Sequence, residues 1–280
     1  MPTTLTFIGN ASCTPDADND TACFLLNSHV LIDCGWCAAL SLLRRPDEPD
    51  ATGISHVLLT HCHHDHYMGL ASVLFYRAMN KARIQGDPEL VIGGPANDIA
   101  RVAALAQAFL QVERFPTVHA PHRVMPITPG ESFRIGELDV RTARTRHPVQ
   151  GLAYRFLDMD TGASIGITGD TGYLPELAEF FSGVDSLVTE ASMGAADAAA
   201  GSTSGHSSAR DAARLARAAG ASGLALVHYR AEDRADVKAA AREIFPGAYL
   251  PAPGERLTLD DRYESYDEAE RDWGWLDDYQ

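Results

Sequence analysis

The stretch THCHHDHYMGL, Thr60 to Leu70, places four histidines, one cysteine and one aspartate in the six positions from His61 to His66. It follows the apolar run Val57-Leu58-Leu59, which reads as a buried strand, and precedes a helix expected to begin near Gly69 or Leu70. The cluster therefore sits where a strand end meets a helix, a place where functional groups converge on a rigid frame. Imidazole nitrogens and carboxylate oxygens are good ligands for zinc and similar divalent ions. In an extended segment alternate residues point the same way, so His61 and His63 share a direction. Asp65 and His66 follow the turn and face a second point. One segment can thus serve two adjacent metals, a pattern that a solvated polar loop does not require.

Outward from this stretch, the chain alternates apolar runs with amphipathic ones. LTFIG, ACFLLN, HVLIDCG and SHVLLTH form a first group of strands. LASVLFYRAMNKAR and NDIARVAALAQAFLQVE read as helices. SFRIG, LDVRTARTRH, LAYRFLDM, ASIGITGD and VDSLVTEA form a second strand group, with a hairpin turn at Asp160-Thr161-Gly162. SARDAARLARAAG is a helix stopped by Gly220. Strand GLALVHY, helix RADVKAAAREIF and strand ERLTL complete the series.

Composition bounds the function. The 280 residues are 45% hydrophobic, enough for one large domain, placed at residues 1–260, with an acidic, aromatic tail at 261–280. No apolar run is long enough for a membrane span, and the first residues do not read as a signal peptide. Five cysteines, all between Cys13 and Cys62, suit reduced thiols in a cytoplasmic protein. The net charge of −15 argues against an extended nucleic-acid footprint, which depends on counterion release by Lys and Arg. A small molecule or a short phosphodiester is the expected partner.

The histidine stretch resembles the signature of the metallo-β-lactamase superfamily. Other segments extend the resemblance in order: FIGNASCTP, VLIDCG with Asp33, TRHPVQGLAYRF with His147, GITGDTGY with Asp170 and LALVHYR with His228. The resemblance implies an α/β fold, the four-layer αββα sandwich with two mixed β-sheets flanked by helices. It implies that His61, His63 and His147 bind a first metal, and that Asp65, His66 and His228 bind a second. Asp170 would bridge both, with a bridging water or hydroxide. The cofactors would be two divalent ions, with zinc favoured and manganese or iron as replacements. Family members often form homodimers. Cys62 and His64 are expected to be spacers.

Two further segments, LVTEAS and GHSSARDAARLA, resemble loops of the ribonuclease Z-like phosphodiesterases. There the resemblance implies His206 as general acid and Glu190 as its partner, grouped with Asp65 as catalytic residues. Ser207 and Ser208 would hold phosphate oxygens, unless they cap the following helix. Two departures stand out. Thr189 replaces the family's histidine, and His147 and Asp170 are only 23 positions apart (170 − 147), filled by one hairpin. That leaves no room for a tRNA-clamping arm. The expected function is a metal-dependent hydrolase, a phosphodiesterase on a small or short substrate. Ester, lactone or sulfate ester hydrolysis and di-iron redox chemistry are the rivals; tRNA 3′ processing ranks below them. The CxxC spacing of Cys34 and Cys37 is read as a turn with packing rather than a redox pair. Gly194 to Gly205 and Pro15 to Thr21 are expected pocket walls, the former a candidate lid.

Overall fold

The computed structural model describes residues 1–86, 88–196 and 205–259. The acidic tail and most of the candidate lid lie outside the described residues.

The chain opens with β1 (Thr3–Ala11), β2 (Asp20–Thr21), β3 (Cys23–Leu26) and β4 (Val30–Ile32), then α1 (Ala38–Leu43) and β5 (His56–Leu58). The short α2 (His64–Tyr67) and α3 (Leu70–Met79) follow, then β6 (Leu90–Pro95), α4 (Ile99–Phe109) and β7 (His122–Ile127). The second half runs β8 (Ser132–Ile135), β9 (Leu138–Arg144), β10 (Leu152–Asp158), β11 (Ser164–Ile167), α5 (Leu177–Phe180), β12 (Ser186–Glu190), α6 (Ala209–Ala219), β13 (Gly223–Val227), α7 (Arg234–Arg242) and β14 (Arg256–Leu259).

The strands form two mixed sheets. The first is ordered β14-β1-β3-β4-β5-β6-β7, with β2 beside β1; the second is β13-β12-β11-β10-β9-β8. Each sheet is covered on both faces, which explains the near-continuous apolar runs of the central strands. In β3 the side chains split by parity. Cys23 and Leu25 pack toward helices α1, α3 and α4, whereas Phe24 and Leu26 face the other sheet. Leu5, Phe7, Phe24, Ile32 and Leu58 meet Val140, Tyr154, Phe156, Ile165 and Ile167 in the layer between the sheets. Leu187, Leu224 and Leu226 pack outward against α6 and α7 residues such as Ala212, Leu215 and Val237. The result is the αββα sandwich. Among the described residues no helix is long and apolar enough to cross a membrane.

The parallel strands set the position of the site. β4 and β5 run parallel in one sheet, and β11, β12 and β13 run parallel in the other. Their carboxyl ends lie at one edge, the usual place for ligands in such sheets. There the sheets are stitched together. Leu152 N donates to Thr60 O at 2.8 Å, and His228 N donates to Asn10 O at 2.9 Å.

Candidate metal centre

Every residue singled out as a metal ligand lies at this edge. Asp33 follows β4 and His61 follows β5. Asp170 follows β11, Glu190 ends β12 and His228 follows β13. His147 comes from the loop between β9 and β10. The helix after the histidine stretch differs from expectation at its start. It begins one turn earlier, as α2, with Asp65 and His66 on that turn. The turn forms because the segment is held from outside: Cys34 N donates to His66 O at 2.7 Å, and Thr21 Oγ1 donates to Asp65 O at 2.6 Å.

The side chains form overlapping groups of donor atoms that share Asp170, His61, His66, His147 and His228. His61, His63 and His147 form one group of donor atoms, all within 4.8 Å of one another; Asp65, His66 and His228 form another. Asp170 touches both sets. Its Oδ2 is 3.8 Å from His61 Nε2 and 3.6 Å from His228 Nε2, and its Oδ1 is 3.6 Å from His66 Nε2. Such contacts suit a carboxylate shared between two ions. Asp33 holds His66 from behind, with Oδ2 2.8 Å from Nδ1, and accepts from Thr60 N and Thr60 Oγ1. Gly169 lets the chain pass over Thr60 to reach Asp170. It has φ of 58°, and a Cβ there would lie 2.6 Å from Thr60 Cβ. Asp33 and His228 are themselves left-handed, at φ of 56° and 54°. Backbone strain of this kind collects at functional sites and costs about 1–3 kcal/mol each.

The donor set fits divalent cations. His61 Nε2 and His66 Nε2 are buried without a hydrogen-bond partner, which is costly unless something else binds them. His147 Nε2 and His63 Nδ1 stand 2.9 Å apart, so their lone pairs repel unless a proton or cation lies between. Four acidic side chains, Asp33, Asp65, Asp170 and Glu190, are buried within the site. The titration of the protein alone reflects this negative field. Burial pulls His228 down, but Asp170 and the bond to Asp65 push it up to about 9. Burial also opposes a charged His66, yet Asp33 and Asp170 hold it well above the usual imidazole range. His61 goes the other way, pushed well below that range by burial and by His66. Cations could take the place of the protons held on His66 and His228.

Glu190 and His206 stand beside these groups. His206 Nδ1 is 3.0 Å from Glu190 Oε2 and 3.7 Å from Asp170 Oδ2. The bond to Glu190 raises the His206 pKa, while burial and then Asp170 raise that of Glu190. Thr171 N donates to Glu190 Oε1 at 2.6 Å and fixes the carboxylate. His206 also falls within 4.8 Å of His147 and Asp170 donor atoms, inside the same ring of groups.

Of the two readings open for Ser207 and Ser208, the structure shows their hydroxyls engaged within the fold. Ser207 Oγ donates to Thr171 O at 2.6 Å. Ser208 is fully buried and caps α6 in a reciprocal box with Asp211. The two spacers are placed as expected. Cys62 packs half-buried against the helix-side core, its thiol pushed up to about 12 mainly by burial, and His64 is exposed. All five cysteines are free; Cys34 is buried in the same core and Cys37 is exposed. Sequence reasoning did not single out Thr60, Thr171 or Ser192, each of which holds a site residue by hydrogen bonds.

A sandwich of two mixed sheets, with buried histidines and carboxylates gathered at the strand ends, defines a metallo-hydrolase. The chain belongs to the metallo-β-lactamase superfamily: the family described as the beta-lactamase superfamily domain matches residues 28–229. Ribonuclease BN of Cronobacter sakazakii is 27% identical over 304 aligned positions, covering 88% of this chain and 96% of that one. Among solved structures, the metallo-β-lactamase fold protein YhfI from Bacillus subtilis superposes with a TM-score of 0.76 at 24% identity, covering 92% and 100% of the two chains. The short form of human tRNase Z superposes at 0.72 with 19% identity, covering 91% and 99%.

Proposed function

We propose that this metallo-hydrolase is a phosphodiesterase acting on a small or short substrate with two divalent ions, zinc by preference. The observation that carries the reading is the Glu190–His206 pair beside Asp170. His61, His63 and His147 would hold one ion, Asp65, His66 and His228 the other, and Asp170 both. Bound there, the ions would acidify a water and offset negative charge developing on the electrophile. The protein supplies the rest. Glu190 accepts from His206 Nδ1, which orients the ring and leaves Nε2 to carry a proton to the leaving oxygen. Asp65 would contribute as a ligand beside His228, its Oδ2 3.1 Å from His228 Nε2.

Relatives named ribonucleases support a phosphodiester as the bond cleaved. Substrate length is argued from the chain itself. Between His147 and Asp170 only β10, a turn and β11 occur, and the net charge is −15. Both features favour a short substrate over a clamped tRNA. The test is a hydrolysis screen of zinc-loaded protein against chromogenic phosphodiesters, phosphomonoesters, lactones and sulfate esters. Preference for diesters supports the reading. Preference for a lactone or sulfate ester replaces it on the same centre, and a coloured, iron-containing preparation without hydrolysis points to redox chemistry.

A further inference from the structure

Ser192 lies outside the proposed ligand set, yet its hydroxyl closes a loop on His228. Ser192 Oγ is 2.8 Å from His228 Nδ1 and 3.0 Å from His228 O. A hydroxyl has one proton to give and can accept through its lone pairs. The carbonyl can only accept, so the Ser192 proton goes to His228 O. The same oxygen then accepts from Nδ1, which must carry hydrogen. In a neutral ring this leaves the lone pair on Nε2, the atom facing Asp65 Oδ2 at 3.1 Å and Asp170 Oδ2 at 3.6 Å. The left-handed backbone at His228, φ 54°, accompanies this arrangement, in which ring and carbonyl of one residue share a single hydroxyl. Ser192 N also donates to Glu190 Oε2 at 3.3 Å, so the residue is anchored to the neighbouring carboxylate as well.

We infer that Ser192 is a positioning residue for the second ion: it fixes the tautomer and ring angle of His228, and with them the affinity of the Asp65–His66–His228 group. The inference rests on the two-ion reading above. Partners behind a ligating histidine typically contribute about 10- to 100-fold in metal affinity.

The experiment is a zinc titration of metal-stripped protein against a competing chelator, on wild type, Ser192→Ala and Ser192→Thr, with thermal unfolding of each stripped protein as the folding control. Ser192→Ala is expected to weaken one of two binding steps by about 10- to 100-fold and to leave the other as in wild type. Ser192→Thr keeps the hydroxyl and should restore the weakened step. In ¹⁵N spectra of the zinc-loaded wild type, His228 should carry its proton on Nδ1. Two unchanged binding steps in Ser192→Ala would overturn the inference while leaving the two-ion reading intact. So would equal loss of both steps, a loss that threonine fails to restore, or a proton found on Nε2. A wild type that takes up no zinc would instead defeat the two-ion reading, and this inference with it.

Discussion

His206 and Glu190 face each other across 3.0 Å, and only one of the two is buried: the carboxylate is 1% exposed and the imidazole 27%. The buried member is fixed by Thr171 N, and the other member is partly open to solvent. That asymmetry is what a proton donor with an orienting partner requires.

His206→Ala should therefore lower turnover on a diester with an alkyl leaving group by about 10²–10⁴-fold. A nitrophenyl diester should lose little, since nitrophenolate leaves without protonation. Metal content on the same sample should be unchanged. Because His206 also lies within donor range of His147 and Asp170, this last measurement decides between acid and ligand. Equal loss on both substrates, or lost metal, would remove the acid role.

Ser208→Ala should lower folding stability by about 0.5–2 kcal/mol, the usual effect of losing a helix cap. Turnover per folded molecule should stay as in wild type. Denaturant unfolding alongside steady-state kinetics checks both. A large fall in turnover without destabilisation would return Ser208 to the substrate.

Asp33→Asn should weaken zinc binding by about 10- to 100-fold, because the 2.8 Å contact that orients His66 loses its charge. Equilibrium dialysis against zinc checks this. Binding equal to wild type would mean that packing alone orients His66.

Transfer-RNA precursors should be poor substrates at physiological salt, given a net charge of −15 and a plain hairpin between His147 and Asp170. Site-specific removal of a 3′ trailer at rates matching small diesters would contradict the short-substrate reading.

Much of this was legible in the sequence, for a physical reason. A strand buried on both faces needs an unbroken apolar run, so Val57-Leu58-Leu59 announced β5 and the ligands just past its end. β6 is not legible in the sequence because Leu90–Pro95 ends in Gly93, Gly94 and Pro95, which read as a turn. The structure shows why they are there: a Cβ at Gly93 would lie 2.8 Å from Leu58 Cδ2, so a larger residue would require Leu58 to shift within the packed strands. β7 was hidden by Pro126, tolerated because this strand is at the sheet edge. Within the site, ligands carried by compact motifs were readable. Pairings across long separations, such as Asp33 with His66 or Ser192 with His228, were not, because only folding brings them together. Ser208 was ambiguous because one serine before a helix suits a cap and an anion site equally.

Metal content tests the proposed two-ion centre bridged by Asp170 most directly. Protein purified under metal-replete conditions, then dialysed and analysed by mass spectrometry, should carry about two divalent ions per chain. Asp170→Ala should lose much of both, because its carboxylate approaches donors of both groups. No more than a trace of metal in the wild type, or two ions retained in Asp170→Ala, would contradict the account.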